Sequence, residues 1–315
     1  MNVFVIGATG YIGAVVVEKL LAAGHRVVGL ARTSSASSDL LRRGVTPHAG
    51  DLEDPRTVAA AARANDATIF AAHGPSYAVD RAAFRAIVDV LEGSEKCFVY
   101  TSGAAIFSDR AAGEPSEVAY DEDTPFVSPA AQAERARDDA EIVTAAARGV
   151  RAMIMRPGLV YGRSGSIQVP IMIAQARRSG VSRFIGRGQN RWTNVHVDDL
   201  AELYVKLLER APGGTVVHPC GGEATMRVVA AAIGRSLGIP CESWTVEQAA
   251  TVWNETFAQD AIGSNCRMIG TKSRAYYEWS PTRPDLLWDL EYGSYRGGQA
   301  EAATSVSSLA RPNRQ

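Results

Sequence analysis

Apolar residues in this chain gather in short, nearly unbroken runs separated by stretches with helical spacing. The runs at 3–6, 26–30, 67–71, 97–101 and 152–155 have the length of strands, and a run apolar throughout suits a strand covered on both faces. Strand and helix therefore alternate through the first half, which predicts an α/β fold built on a doubly wound parallel sheet. The punctuation agrees: Gly24-His25 closes a helix over 14–23 as a glycine C-cap, and Asp54-Pro55 opens another with an N-cap and a proline in its first turn.

Beyond Gly158 the alternation weakens. A glycine-rich loop at 162–165, a helix over 167–179 and the sequence Gly186-Arg187-Gly188 lead to Trp192. Residues 195–197 are expected to return to the sheet, Asp198-Asp199 to cap a helix running to Leu208, and 215–218 to form a short strand. A mostly helical second lobe follows from about 221 to 295. The domain division expected is 1–162 with 193–218 on the nucleotide side, 163–192 with 219–296 on the substrate side, and a mobile tail at 297–315, which is rich in small and polar residues.

Composition narrows the partners. The chain has 315 residues with 33 basic and 34 acidic side chains, and 46% of it is hydrophobic. That is ample for a large core, and near-zero net charge without a basic run excludes a nucleic-acid or membrane surface. Cys97, Cys220, Cys241 and Cys266 lie far apart, and the five histidines show no ligand spacing, so no metal is expected. The first apolar run is too short for a membrane anchor and lacks a basic leader, which predicts a cytoplasmic protein. The remaining partner class is a small molecule. Oligomeric state is not legible.

The candidate chemistry begins at Gly7-Ala8-Thr9-Gly10-Tyr11-Ile12-Gly13, which closes the first strand and opens a helix. Glycines allow a tight turn and close approach of a pyrophosphate, and the free N–H groups of a helix N-terminus attract it. The second strand ends in Arg32-Thr33-Ser34-Ser35, with no carboxylate until Asp39. A guanidinium and hydroxyls there suit the extra phosphate of NADP rather than a bare ribose, so NADP(H) is the expected cofactor. An exposed loop arginine is the alternative.

The two-residue first gap of the glycine motif resembles that of the extended and atypical short-chain dehydrogenase/reductases. Further motifs look like those of their NAD-dependent epimerase/dehydratase members: Arg156-Pro157-Gly158-Leu159-Val160-Tyr161-Gly162, the run from Trp192 to Ala201, and the region from Trp279-Ser280-Pro281 to Tyr295. The resemblance implies a Rossmann-like sheet with a smaller, mostly helical C-terminal substrate lobe. It also implies that Asp51 and Leu52 hold the adenine, that Ala71, Ala72 and His73 stand beside the nicotinamide ribose, and that Pro157, Gly158, Leu159 and Val160 pass the nicotinamide.

Enzymes of this family carry a Ser or Thr after the fifth strand and a Tyr and Lys four residues apart on one helix, where the ammonium tunes the phenol. Here Thr101 and Ser102 supply the first station, but no tyrosine lies between Tyr120 and Tyr161. Helical counting places Ala133 and Arg137 at the Tyr and Lys positions, with Arg137 left to hold the ribose. Ser102 is the expected oxyanion contact, and His73, Tyr77, Tyr161, His196 or a bound water are candidate proton donors, with Tyr161 and His196 ranked first. A lone histidine before a helix also serves as a structural hydrogen-bonding residue.

The leading expectation is an NADPH-dependent ketoreductase acting without the usual tyrosine on a small-molecule ketone, such as an aromatic polyketide or another natural product. A sugar-nucleotide epimerase or dehydratase, with Arg187 and Arg191 meeting a diphosphate, and a non-catalytic NADP(H) sensor are the alternatives. Trp192, Trp244, Trp253, Phe257 and Tyr276 would line an aromatic pocket if they face the cleft, and otherwise pack the core.

Overall fold

The computed structural model describes residues 1–298 and 301–302, so most of the segment 297–315 lies outside the described residues. The first half alternates as the apolar runs require: β1 (Asn2–Ile6), α1 (Tyr11–Ala22), β2 (Arg26–Ala31), α2 (Ser34–Arg42), β3 (Thr46–Ala49), α3 (Pro55–Ala64), β4 (Ala67–Phe70), α4 (Tyr77–Leu91) and β5 (Cys97–Thr101). After a long connection come α5 (Ala133–Thr144), β6 (Arg151–Met155), β7 (Leu159–Tyr161), β8 (Gly165–Ser166), α6 (Gln168–Ser179), β9 (Ser182–Ile185), β10 (Arg191–His196), α7 (Val197–Arg210) and β11 (Val216–Val217). The remainder holds β12 (Gly222–Thr225), α8 (Met226–Leu237), β13 (Cys241–Trp244), α9 (Val246–Val252), α10 (Thr271–Tyr277), α11 (Leu286–Glu291) and the backbone pair β14 (Glu301–Ala302).

Seven strands form one parallel sheet in the order β11-β6-β5-β4-β1-β2-β3. Alternate residues of β1 feed opposite cores. Val3 and Val5 pack with α1 and α7, while Phe4 and Ile6 pack with α3 and α4. Strand order reverses at β1, whose neighbours are β4 and β2, and ligands of open α/β sheets bind at the carboxyl ends of strands beside such a switch.

A third core joins Phe107 and Tyr161 to α6, α8, α11 and the aromatic residues of the second half. Residues 195–197 do not return to the main sheet. β10 pairs instead with β7 and, antiparallel, with β12 in a separate three-stranded sheet. The cap of α7 also differs, because His196 Nδ1 accepts the Asp198 N–H at 3.1 Å while Asp198 and Asp199 sit in the first turn. A histidine so placed does the work expected of Asp, and the carboxylates favour the positive helix end.

Candidate active site

The turn after β1 is formed by close packing. Gly7 has φ +88°, and a Cβ there would run into the Ala71 carbonyl, while a Cβ on Gly13 would run into the Gly7 carbonyl. The first helical bond of α1 is Ala14 N–H to Gly10, so the N–H groups of Tyr11, Ile12 and Gly13 have no helical acceptor. Thr9 and Gly10 are exposed, and no acidic side chain lies in the first turn. Arg43 holds the turn from behind, donating to the carbonyls of Ala8 (3.2 Å) and Ala14 (2.7 Å). This cradle fits a pyrophosphate.

The Tyr11 ring turns away from that cradle. Its hydroxyl donates to the Gly162 carbonyl at 2.8 Å, and burial, with Tyr295 alongside, holds its phenol well above the ordinary value. Tyr11 thus offers an N–H to a nucleotide, and its side chain is structural. Past β2, Arg32 is exposed and makes no hydrogen bond or ion pair among the described residues. Thr33 Oγ1 caps α2 by accepting the Ala36 N–H at 3.1 Å, and Ser34 is exposed. Asp51 Oδ1 accepts the Glu53 N–H at 3.0 Å, beside buried Leu52. Ala71 and Ala72 continue from β4 half-buried.

Helical counting on α5 was two residues off. Arg137 points to solvent and has no partner among the described residues. Arg135 is the inward arginine: its Nη2 lies 3.4 Å from His73 Nε2, its guanidinium stands 5.7 Å from the Tyr77 ring centroid, and a Cβ on Gly103 would come within 2.7 Å of its Nη1. One turn earlier is Ala131, not Ala133. The physical marker is the buried stripe Asp138, Asp139 and Ile142, which fixes the inward face at spacings of three and four.

Three of the four expected catalytic groups are engaged elsewhere. Thr101 Oγ1 and Tyr204 OH share a buried 2.6 Å hydrogen bond against α7. The Tyr161 hydroxyl donates to the Pro284 carbonyl at 2.8 Å, and burial, with Asp199 nearby, pushes its phenol well up. His196 caps α7, packs against Gly162, and is pushed down by burial. These bonds occupy the groups ranked first as donors, Tyr161 and His196, and the hydroxyl of Thr101, in contrast to the expectation that they face a substrate.

Ser102 differs. It is 4% exposed, its N–H continues the ladder to the Met155 carbonyl at 2.8 Å, and its Oγ has no hydrogen-bond partner. Beneath it lies a polar floor. Arg156 Nε donates to Asp139 Oδ2 at 2.8 Å, with the guanidinium 5.7 Å from the Phe107 ring centroid and 5.5 Å from that of Phe126. Burial pushes the Asp139 carboxyl up, against the opposing pull of Arg156 and of the Ser102 hydroxyl, which stands close by but outside hydrogen-bond geometry. The neighbouring Asp138 turns to Arg81, whose Nε reaches Oδ1 at 2.5 Å.

His218 follows β11 on the same edge, edge-on to Phe107 and with Nδ1 3.2 Å from the Tyr120 carbonyl. Burial, reinforced by Arg156, pushes its pKa down to about 3. The unfolded chain therefore takes up a proton at about pH 6.5 that the folded chain refuses, so the stability present above that pH is lost as pH falls toward 3. Between pH 7 and pH 5 this one group is expected to remove about 2 kcal/mol, read from urea unfolding. An equal fall in His218→Phe would reject that account.

Ser102, Arg156 and His218 thus stand directly after the adjacent strands β5, β6 and β11. Arg135, Asp139 and His218 carried no expected role; for His218 the signal was available, since a polar residue that ends an apolar strand run sits on the ligand edge of the sheet, whereas Arg135 and Asp139 lie within α5 and are marked only by its buried face. Pro157 accepts the Ala104 N–H at 2.9 Å, Gly158 abuts the Thr193 carbonyl, and Leu159 and Val160 enter β7, so this loop is firmly packed.

Trp192, Trp244, Trp253 and Phe257 belong to the third core and Tyr276 is exposed, so no aromatic pocket forms from them. Arg187 pairs with Glu114 at 3.4 Å and Arg191 with Glu223 at 3.6 Å. Among the described residues no group of His, Cys, Asp or Glu is placed to hold a metal, and no helix is long and apolar enough to cross a membrane.

The profile of the NAD dependent epimerase/dehydratase family matches residues 3–218. The chain belongs to this family. As a member it is 33% identical to the uncharacterized protein C2A9.02 of Schizosaccharomyces pombe, over 94% of this chain and 100% of that protein. It is 28% identical to 2-alkyl-3-oxoalkanoate reductase of Shewanella oneidensis, over 65% of this chain and 56% of that relative. The dTDP-glucose 4,6-dehydratase of Bacillus anthracis, solved in complex with NAD, shares the fold with a TM-score of 0.73 at 15% identity, covering 93% of this chain and 94% of that one. This chain is accordingly a member of an NAD-dependent enzyme family whose named relatives include both reductases and an epimerase.

Proposed function

We propose that this protein is an NADPH-dependent ketoreductase in which Ser102, rather than a tyrosine of α5, contacts the substrate carbonyl oxygen. The observation that carries the reading is the buried Ser102 Oγ without a partner, at the end of the strand next to β4, while Thr101, Tyr161 and His196 are already bonded. A buried hydroxyl left unpaired is unfavourable unless a ligand or water completes it. A bound nicotinamide would supply hydride, and the chain's own task is then to hold the nucleotide, orient the carbonyl and stabilise charge on its oxygen. Segments 163–192 and 219–296 form the substrate side in this reading.

The named reductase among the relatives supports carbonyl reduction. The cations once available for a sugar-nucleotide diphosphate, Arg187 and Arg191, are ion-paired. Unpaired Arg32 supports the phosphorylated cofactor. NADPH is expected to bind more tightly than NADH in calorimetry. Arg32→Glu is expected to weaken NADPH roughly 10- to 100-fold, the loss of one charge-assisted bond, with little effect on NADH. Equal affinity of the wild-type protein for the two would sink the preference. Incubation with NADPH and a ketone panel that includes 3-oxo acids and polycyclic aromatic ketones tests the reaction, and no turnover on any of them rejects it.

A further inference from the structure

Four of the phenols close to the dinucleotide turn and the strand ends are unable to give up a proton to a ligand. Tyr11 donates to the Gly162 carbonyl, Tyr161 to the Pro284 carbonyl and Tyr295 to the Gly165 carbonyl, and Tyr204 is locked to Thr101. Tyr100, two residues before Ser102, makes no such bond, but it is buried and burial pushes its phenol well up, which leaves Tyr77 as the accessible one. It opens α4, is half-buried, and its hydroxyl reaches only Gln132 Oε1, at 3.4 Å. That places the hydroxyl at the turn leading into α5, against the residue after Ala131; Ala131 carries a methyl group where helical counting from Arg135 would put a phenol.

The surroundings of Tyr77 are held in place. Ser76 Oγ caps α4 by accepting the Val79 N–H, and buried Asp80 accepts the Gly74 N–H at 2.7 Å while its other oxygen lies 3.4 Å from His73 Nδ1. The loop that carries Tyr77 leaves β4 beside the glycine turn, so it runs along the cofactor edge. Arg135 connects the two sides of the cleft, with its guanidinium over the Tyr77 ring and its Nη1 against Gly103, the residue after Ser102. A phenol and a fixed positive charge therefore meet beside the unpaired Ser102 hydroxyl, although the phenol comes from a different helix.

We infer that Tyr77 is the proton donor of this site and that Arg135 is its positioning residue. The inference rests on the ketoreductase reading. In the reduction, the carbonyl carbon takes hydride from a dihydronicotinamide and the C=O π pair moves to oxygen. The O–H bond of Tyr77 breaks as that oxygen takes its proton, and the phenolate is reprotonated from water at its exposed side. The overall balance is ketone, dihydronicotinamide and one proton to alcohol and oxidised nicotinamide. The guanidinium faces the charge left on the phenol as the proton departs.

Tyr77→Phe keeps the ring and its contact with Arg135, so the fold is retained. Its kcat for the best ketone is expected to fall about 10²- to 10⁴-fold, the range for loss of a general acid, with KM and melting temperature nearly unchanged. Arg135→Lys is expected to keep most of kcat and Arg135→Met to lose it at equal melting temperature. A Tyr77→Phe protein within about threefold of wild-type kcat overturns the inference.

A second readout needs no turnover. Acetylation by N-acetylimidazole, mapped by mass spectrometry, is expected to modify Tyr77 but not Tyr11, Tyr161, Tyr204 or Tyr295, and bound NADP is expected to protect it. An unreactive or unprotected Tyr77 overturns the inference even where ketone reduction is observed. Absence of any wild-type turnover counts instead against the ketoreductase reading, and the labelling result is read separately.

Discussion

Replacing Ser102 with alanine is expected to lower kcat about 10²- to 10³-fold, the usual consequence of removing one donor to a developing oxyanion, while KM and melting temperature change little. The reason lies in two features of the site. The side chain stands at the ligand edge of the sheet, where a carbonyl oxygen would gather charge, and its Oγ, although close to the Asp139 carboxylate, makes no hydrogen bond of good geometry in the folded protein. A purely structural serine behaves in the opposite way, because losing a buried hydrogen bond lowers stability and leaves the chemistry intact. Steady-state kinetics and thermal unfolding on the same preparation separate the two. A variant that is destabilised yet turns over normally would remove Ser102 from the mechanism.

The second large effect is expected at Asp139. Its carboxylate is fully buried and holds Arg156, which is itself enclosed by Phe107 and Phe126. Asp139→Ala strands that guanidinium without a counter-ion, and breaking a buried pair from one side removes about 3–5 kcal/mol, to be read from urea denaturation. The same reasoning makes the pair itself weakly stabilising. The double variant Asp139→Ala/Arg156→Met is therefore expected to recover part of the loss, since it removes the unpaired charge as well. A single variant within about 1 kcal/mol of wild type would show that water already reaches the pair, at odds with its burial.

The parallel sheet was legible because its strands are apolar on both faces and its turns use Gly, Pro and Asp in positions with definite backbone requirements. The nucleotide cradle was legible for the same reason, since Gly7 and Gly13 are demanded by close backbone contacts that no other residue satisfies. The face of α5 was not. Without a tyrosine as anchor, counting from Arg156 allowed a slip of two, and Ala131–Arg135 could not be told from Ala133–Arg137 until the burial of Asp139 fixed the inward stripe. Nor could spacing show that Tyr161 and His196 were already bonded, because their partners, Pro284 and the Asp198 N–H, are set by tertiary packing and capping geometry. The small sheet of β7, β10 and β12 escaped notice because the first and last strands are only three and four residues long.

Tyr295 lies 77 residues beyond the last position matched by the family profile, at 218, yet it accepts the Gly162 N–H at 2.9 Å and donates to the Gly165 carbonyl, while Ser294 holds both ends of Ser164. Gly162 in turn receives the Tyr11 hydroxyl from the first turn of α1. The amino-terminal two thirds is consequently no free-standing module: excised at 218, it would expose bare carbonyls and amides in the loop that braces α1. Anyone trimming this protein for expression or fusing a partner to it should leave everything through Gly298 intact.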